Sequence, residues 1–61
     1  MVKVREIVRA MKRDGWYVDR QQGSHRQFKH PSKANRITIS YPDNQDVSLS
    51  EVRKMLAEAG L

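Results

Sequence analysis

Apolar residues at helical spacing occur in two stripes, one near each end of the chain, and these stripes restrict the fold more than any other feature of the sequence. Within each stripe the residues recur at positions i, i+3, i+4 and i+7: Val4, Ile7, Val8 and Met11 in the first, and Val52, Met55, Leu56 and Ala59 in the second. Spacing of this kind places the side chains on one face of an α-helix. We therefore predict one helix over residues 3–14 and a second helix that begins at Ser48.

Residues at the predicted helix ends support these boundaries. Gly15 follows the last apolar position of the first helix and suits the left-handed conformation that commonly ends a helix. Ser48 and Glu51 match the S-x-x-E capping box, in which the serine oxygen and the glutamate carboxylate each accept a free backbone N–H. Gly60 before Leu61 predicts a Schellman ending for the second helix.

Three segments between the helices, residues 16–21, 25–30 and 37–41, alternate as strands do and contain β-branched or aromatic residues. Gly23 and Ser24 are predicted to form the turn between the first two. Pro31 ends the second because proline has no N–H to donate to a sheet, and residues 42–46 have the composition of a loop. The order α-β-β-β-α predicts an α+β fold of one domain over residues 1–61, with both helices on one face of a three-stranded antiparallel sheet.

Alternation along the strands separates a face that packs under the helices from a face that is open to water. The side chains predicted to point toward the helices are Trp16, Val18, Phe28, Ile37, Ile39 and Tyr41. The side chains predicted on the open face are His25, Gln27, Lys29, Thr38 and Ser40. A chain of this length has no space for a deep cavity, so any functional site is expected on the surface.

Positive charge is concentrated in the middle of the chain. The 61 residues include 12 Lys or Arg and 7 Asp or Glu, which gives a net charge of +5 and a pI near 10.1. Residues 20–36 contain no carboxylate and five of these bases: Arg20, Arg26, Lys29, Lys33 and Arg36. The charges of the two flanking segments cancel. A concentrated positive field attracts a polyanion, so we predict contact with nucleic acid.

Composition excludes several classes of protein. The chain contains no cysteine, which removes disulfides, thiolate metal sites and cysteine nucleophiles and suits a reducing compartment. No apolar run approaches the roughly 20 residues that a membrane span requires, and the N-terminus lacks the apolar stretch of a signal peptide. We expect a cytoplasmic protein with no membrane partner, no metal and no small-molecule cofactor.

His25 follows the predicted turn directly, on the open face and among basic residues. An imidazole can accept and donate a proton near neutral pH, as general acid or base catalysis on an RNA 2′-hydroxyl requires. Cations near it are candidate phosphate contacts: Arg20, Arg26, Lys29 and Arg36. Taken alone, an exposed histidine is more often chemically inert, so the residues themselves leave both interpretations open.

His30 is predicted to have a structural role at the end of its strand. It is five residues from His25, which in a strand corresponds to about 16 Å and to opposite faces of the sheet. Two histidines so placed do not flank one phosphate. Any catalysis would therefore depend on a single histidine, which predicts slow and weakly specific chemistry.

One stretch of the chain, GSHRQFKHP at residues 23–31, closely resembles the HicA toxin family of bacterial and archaeal toxin–antitoxin systems. The resemblance extends to DGW at residues 14–16, RITI at residues 36–39 and LAEAGL at residues 56–61, so it spans nearly the whole sequence. It implies a double-stranded-RNA-binding-domain-like fold, metal-independent cleavage of mRNA and neutralisation by a HicB-type antitoxin. It also implies that His25 is the catalytic residue and that Gly23 is needed for the turn that presents it.

The chain departs from this family pattern before the last helix. Family members often carry a histidine and basic or glycine residues in that loop, where this chain has Asp43 and Asp46. Leu49, Ser50 and Glu51 replace the usual lysine-glycine-threonine start of the helix. The acidic loop is expected to repel RNA on that side. Two alternatives to a ribonuclease toxin remain: a non-catalytic RNA-binding module of the same fold, and a degenerate toxin that acts only in protein interaction.

Overall fold

Two helices and a three-stranded antiparallel sheet form most of the protein, as the sequence predicts. A computed structural model describes every residue from Met1 to Leu61. The elements follow in the order β1 (Val2–Lys3), α1 (Val4–Asp14), β2 (Tyr17–Gln22), β3 (His25–Lys29), β4 (Ile37–Ile39), β5 (Asp46–Val47) and α2 (Leu49–Glu58). β2, β3 and β4 are neighbours in that order and pair antiparallel. The predicted α+β architecture is confirmed, and neither helix has the length and apolar sequence that crossing a bilayer requires.

A two-stranded ribbon beside the first helix is not foreseen by the sequence pattern. β1 pairs antiparallel with β5, with Val2 opposite Val47 and Lys3 opposite Asp46. The pattern assigns Lys3 to the first helix and Asp46 to a loop, because strands of two residues are too short to show alternation. The ribbon attaches the loop before α2 to the start of α1.

One cluster of ten buried side chains fills the space between the helices and the sheet. Its members come from α1, from the sheet, from β5 and from the end of α2: Val4, Ile7, Val8, Met11, Trp16, Phe28, Ile37, Ile39, Val47 and Ala59. The inward orientation predicted for the apolar strand residues up to Ile39 is confirmed. The other three apolar residues of the second stripe, Val52, Met55 and Leu56, are only partly buried and pack against this cluster.

Tyr41 does not pack inward as predicted. β4 ends at Ile39, so the alternation that would bury position 41 stops before it. Tyr41 is 39% exposed and lines a shallow groove beside the turn at Gly23 and Ser24.

Both helices end in Schellman motifs, which the sequence predicts for α2 at Gly60; at Gly15 it predicts only the left-handed residue that ends α1. The Trp16 N–H donates to the Met11 carbonyl at 3.0 Å, and the Leu61 N–H donates to the Leu56 carbonyl at 2.8 Å. At the start of α2, Ser48 Oγ accepts the Glu51 N–H at 3.3 Å, so the serine half of the predicted capping box is present. The Glu51 carboxylate makes no reciprocal bond, and Ser48 Oγ contacts Ser50 Oγ instead, at 3.1 Å.

Candidate active site

His25 is exposed at the first residue of β3, on the open face where alternation predicts it. The turn before it contains Gly23, whose φ of +61° is a left-handed conformation that glycine adopts without strain. No atom lies within 4 Å of the position that a Cβ on Gly23 would occupy. Backbone conformation, and not crowding, therefore favours glycine in the turn that presents His25.

Ser40 binds one nitrogen of the His25 ring. The distance from Nδ1 to Ser40 Oγ is 3.2 Å, and Nε2 makes no hydrogen bond within the protein. In the register of β3 and β4, Arg26 is opposite Ile39, which brings the next residue of β4's continuation, Ser40, beside His25. The sequence places Ser40 on the open face but gives it no role, because strand register cannot be read from alternation alone.

A shallow depression of about 380 Å³ surrounds the exposed side of His25. Six residues from all three strands line it, and none is hydrophobic: Arg20, Gln21, Gln22, His25, Gln27 and Thr38. The depression can therefore offer a polar ligand a cation, an imidazole and several amide and hydroxyl groups. It is a surface groove, as expected for a domain of this size.

Arg20 reaches the depression because β2 contains a bulge. Simple alternation would place Arg20 on the same face as Val18. Val18 pairs with Phe28 and Arg20 pairs with Gln27, so Asp19 between them has no partner of its own. The extra residue shifts the alternation by one and turns Arg20 to the face of His25. Arg20 forms no ion pair.

Arg26 does not lie beside His25, in contrast to what its place in the sequence suggests. It shares the inner face with Phe28 and is 9% exposed. Its Nη1 lies 2.7 Å from Asp43 Oδ1, and its Nη2 donates to the Tyr41 carbonyl at 3.2 Å. The sheet separates this guanidinium from the imidazole, and both of its terminal nitrogens already have a partner, so Arg26 is not positioned to bind a phosphate held at His25.

Lys29 and Arg36 lie toward the other end of the sheet. Lys29 is four residues from His25 along β3, about 13 Å away, and its Nζ lies 3.4 Å from Asp19 Oδ2. Arg36 immediately precedes β4 and is exposed without an ion pair. Among the four predicted phosphate contacts, only Arg20 therefore shares the depression with His25.

Carboxylates from outside residues 20–36 neutralise much of the positive charge there. Three of the five cations are in ion pairs: Arg26 with Asp43, Lys29 with Asp19, and Lys33 with Asp14. The acidic loop before α2 is also less repulsive than its sequence suggests. Asp43 faces Arg26, and Asp46 lies 3.0 Å from the Lys3 ammonium.

His30 has the structural role that the sequence predicts for it. The Ser32 N–H donates to Nδ1 at 3.1 Å, so Nε2 carries the ring proton and donates it to the Asp14 carbonyl at 2.6 Å. The ring also packs edge-on against Trp16, with the ring centroids 5.2 Å apart. The side chain is 8% exposed. His30 thus joins the end of β3 to the end of α1.

Lys33 joins the same region to the second helix. Its Nζ lies 2.6 Å from Asp14 Oδ2 and 2.8 Å from the Ala59 carbonyl oxygen. The hydrogen bond from the Lys33 ammonium holds the pKa of Asp14 below its ordinary value of 3.8. No three His, Asp or Glu side chains converge in a way that would hold a metal ion.

One protein family matches almost the entire chain. The family profile described as HicA toxin of bacterial toxin-antitoxin matches residues 4–61. No individual curated protein matches the sequence. The matched range begins at the first residue of α1 and includes Ser40 and all six residues that line the depression. The resemblance inferred from residues 23–31 is confirmed, and the chain belongs to the HicA family of bacterial toxin–antitoxin toxins.

Proposed function

We propose that this HicA-family toxin is a metal-independent endoribonuclease that cleaves mRNA with a single catalytic histidine, His25. The observation that carries the proposal is the hydrogen bonding of the two nitrogens of the His25 ring. Nδ1 is bound to Ser40 and Nε2 has no partner, and the His25 side chain borders a polar depression shared with Arg20. A general acid or base needs such an oriented imidazole with one nitrogen accessible to substrate.

The proposed reaction uses a 2′-hydroxyl of the RNA as the nucleophile. His25 Nε2 takes the hydroxyl proton, and the 2′-oxygen attacks the adjacent phosphorus. The bond from phosphorus to the 5′-oxygen of the next nucleotide breaks, and that oxygen takes a proton from water, because no second general acid lines the depression. The products carry a 2′,3′-cyclic phosphate and a 5′-hydroxyl. Because His25 serves only the first proton transfer and water serves the second, cleavage is expected to be slow.

Arg20 is the proposed contact to the phosphate that is cleaved. A guanidinium binds phosphate oxygens through paired N–H donors and stabilises the charge that develops on them. Lys29 and Arg36 would bind neighbouring phosphates farther along the sheet. Arg26 is left out of this set, since it pairs with Asp43 on the other face.

A HicB-type antitoxin is the proposed protein partner, and we place it over the open face of the sheet. A standard protein interface covers about 800 Å² on each partner, and the whole surface of this chain is 4197 Å². A stable partner therefore covers about a fifth of the molecule. Bound at the open face, it would shield His25 and Arg20 from RNA.

The test is His25→Ala, assayed for cleavage of a labelled RNA and for growth arrest on expression. Cleavage should fall by roughly 10²- to 10⁴-fold, the usual contribution of a general acid or base, and growth arrest should be relieved. Circular dichroism should not change, because the ring is exposed. His30→Gln, measured below its unfolding temperature, is the control and should cleave like the parent.

Four outcomes would contradict parts of the proposal. Growth arrest and mRNA degradation by His25→Ala at the parental level would remove His25 from catalysis. Loss of cleavage in EDTA would refute the metal-independent mechanism. Binding of RNA without cleavage by the unmodified protein would favour the RNA-binding module, and neither binding nor cleavage would favour a toxin that acts only in protein interaction.

A further inference from the structure

The outer surface of α1 carries a stripe of four cations, the α1 stripe: Arg5, Arg9, Lys12 and Arg13. All four are exposed, and none forms an ion pair. The last three line a shallow depression of about 570 Å³ that contains no hydrophobic residue. With three cations of residues 20–36 neutralised by carboxylates, this stripe is the longest run of uncompensated positive charge on the molecule.

No carboxylate forms an ion pair with the α1 stripe. Glu6, next to Arg5, accepts the Lys3 backbone N–H at 3.2 Å. Asp14, at the end of the helix, is bound by Lys33. Elsewhere on the surface carboxylates form ion pairs with cations, but the α1 stripe has no such pair.

The helix dipole explains the presence of only two of the four cations in the α1 stripe. Lys12 and Arg13 lie in the last turn of α1, where the helix dipole favours cations. Arg5 lies in the first turn, where the dipole disfavours them. Arg9 is three or four residues from each of the other three, and like charges at that spacing destabilise a helix. A small domain with little stability to spare thus retains an arrangement that weakens its first helix.

We infer that the α1 stripe is a second RNA-binding surface, which contacts the sugar–phosphate backbone of a strand outside the His25 depression. This inference rests on the proposed function, since RNA is the ligand of both surfaces. Nucleic-acid backbones are bound mainly by arginine and lysine, without apolar contacts. The centre of a stable protein interface is apolar and depleted of charged residues, whereas the α1 depression is lined only by cations.

The two surfaces lie on opposite sides of the domain. The apolar stripe of α1 packs into the cluster under the inner face of the sheet, so its cations point away from the open face that carries His25. The molecule measures only 16 Å across its shortest dimension. A single strand that passes around its edge can therefore reach both surfaces, and the α1 stripe would hold the flanking part of a strand that is cut at His25.

The test compares two double variants, each of which removes two exposed, unpaired cations from a helix. Arg5→Gln/Arg9→Gln changes the stripe at the two positions that the dipole does not favour. Arg53→Gln/Lys54→Gln changes α2 and is the matched control. The ligand is a fluorescent single-stranded RNA of about 16 nucleotides, the upper site size of a small single-strand-binding domain. It is 2′-O-methylated throughout, so that it cannot be cleaved.

Binding of this RNA is measured by anisotropy as a function of salt. Each lost phosphate contact lowers the slope of log K against log salt by about 0.7 for a single strand. Arg5→Gln/Arg9→Gln should therefore lower the slope by about 1.4, equivalent to about 25-fold weaker binding at 0.1 M salt. The control should keep the parental slope. Equal losses in the two variants, or no loss in either, would overturn the inference.

Two further measurements separate the alternatives. At low salt, Arg5→Gln/Arg9→Gln should unfold at the same or a higher temperature than the parent, because it relieves repulsion between the cations of α1. A lower unfolding temperature would show that these cations stabilise the fold and would contradict the inference. Poly-glutamate that displaces the RNA as well as polyuridylate of equal charge would show a surface for an acidic protein and not for RNA.

Failure of this inference is distinguishable from failure of the proposed function. If the unmodified protein binds the methylated RNA with the expected salt slope but cleaves no ordinary RNA, the catalytic proposal is wrong and the α1 stripe remains an RNA-binding surface. If the protein cleaves RNA through His25 but Arg5→Gln/Arg9→Gln binds RNA like the control, only the inference about the α1 stripe is wrong.

Discussion

Ser40 gives the His25 ring a partner that can be either donor or acceptor. A carboxylate at this position would fix a proton on Nδ1, so that the neutral ring could only accept a proton at Nε2. A hydroxyl accepts from Nδ1–H in one tautomer and donates to the bare nitrogen in the other. The 3.2 Å contact therefore orients the ring while leaving Nε2 able to accept or to donate a proton.

Ser40→Ala tests this orienting role. Loss of one hydrogen bond of ordinary strength, about 0.5 to 1.5 kcal/mol, should lower kcat by about 2- to 13-fold with little change in KM, because Ser40 does not line the depression. Ser40→Thr retains the hydroxyl and should restore kcat. The pH profile of cleavage should change between Ser40→Ala and the parent; unchanged kcat and pH profile would limit Ser40 to a passive neighbour.

Faces of side chains can be predicted from this sequence better than their partners can. His25 and Phe28 lie on the faces that alternation assigns them, because one buried aromatic fixes the phase of β3. The same alternation places Arg26 on the inner face with Phe28. This is easily missed when Arg26 is grouped with the other cations by its charge. Its partner Asp43 comes from a distant loop, and no spacing in the sequence connects the two.

At the scale of single elements, the junction between α1 and β2 is the most constrained turn in the molecule. Gly15 has a φ of +110°, and a Cβ there would lie 2.9 Å from His30 Nε2. That nitrogen is held in place by its bond to the Asp14 carbonyl. The glycine is thus required both by the backbone conformation and by the histidine that packs over it.

Gly15→Ala and Gly23→Ala should therefore differ in stability, although both positions have positive φ. Gly23→Ala should cost about 1 to 2 kcal/mol for the left-handed conformation alone. Gly15→Ala should cost about 1 to 3 kcal/mol more, because the methyl group also overpacks against His30. Urea unfolding of both variants measures the difference, and equal costs would show that His30 moves aside freely.

The sequence predicts an element well where its periodic pattern extends over many residues, and poorly where the element is only a few residues long. Both helices contain four apolar residues in phase, which is enough to define their inner faces. The ribbon of β1 and β5 has two residues in each strand and gives no pattern. The bulge at Asp19 is invisible for another reason: an inserted polar residue in a polar strand changes the phase without changing the composition.

At the scale of the whole molecule, the Asp14 carboxylate joins three parts of the chain. It lies at the end of α1 and binds the Lys33 ammonium, which in turn donates to the Ala59 carbonyl beyond α2. The Trp16 Nε1–H donates to the same carbonyl at 3.3 Å. These polar contacts surround one end of the apolar cluster and connect both helices to the segment after β3.

Asp14→Asn tests this connection through the pH dependence of folding. The Lys33 hydrogen bond lowers the pKa of Asp14 in the folded state, so its ionised form stabilises the fold above the unfolded pKa near 3.8. That contribution is lost as the pH falls through the lowered folded pKa. The parent should therefore be more stable than Asp14→Asn at pH 7, and the difference should shrink below about pH 4.

Urea unfolding between pH 7 and pH 2 measures this difference. Lys33→Met is the companion variant. It should remove most of the same loss of folding stability at low pH, since it removes the donor that lowers the pKa of Asp14. A difference between the parent and Asp14→Asn that stays constant down to pH 2 would show that the carboxylate contributes nothing through its charge.

β2 is an edge strand, and one row of its backbone N–H and C=O groups faces no other strand. A regular edge of six residues would be a template on which a second chain could add a strand, the first step of aggregation. Asp19 breaks that row with an irregular backbone and a carboxylate, two devices by which natural sheets discourage such addition. The residue that turns Arg20 toward His25 thus also protects the open edge of the sheet from other copies of the toxin.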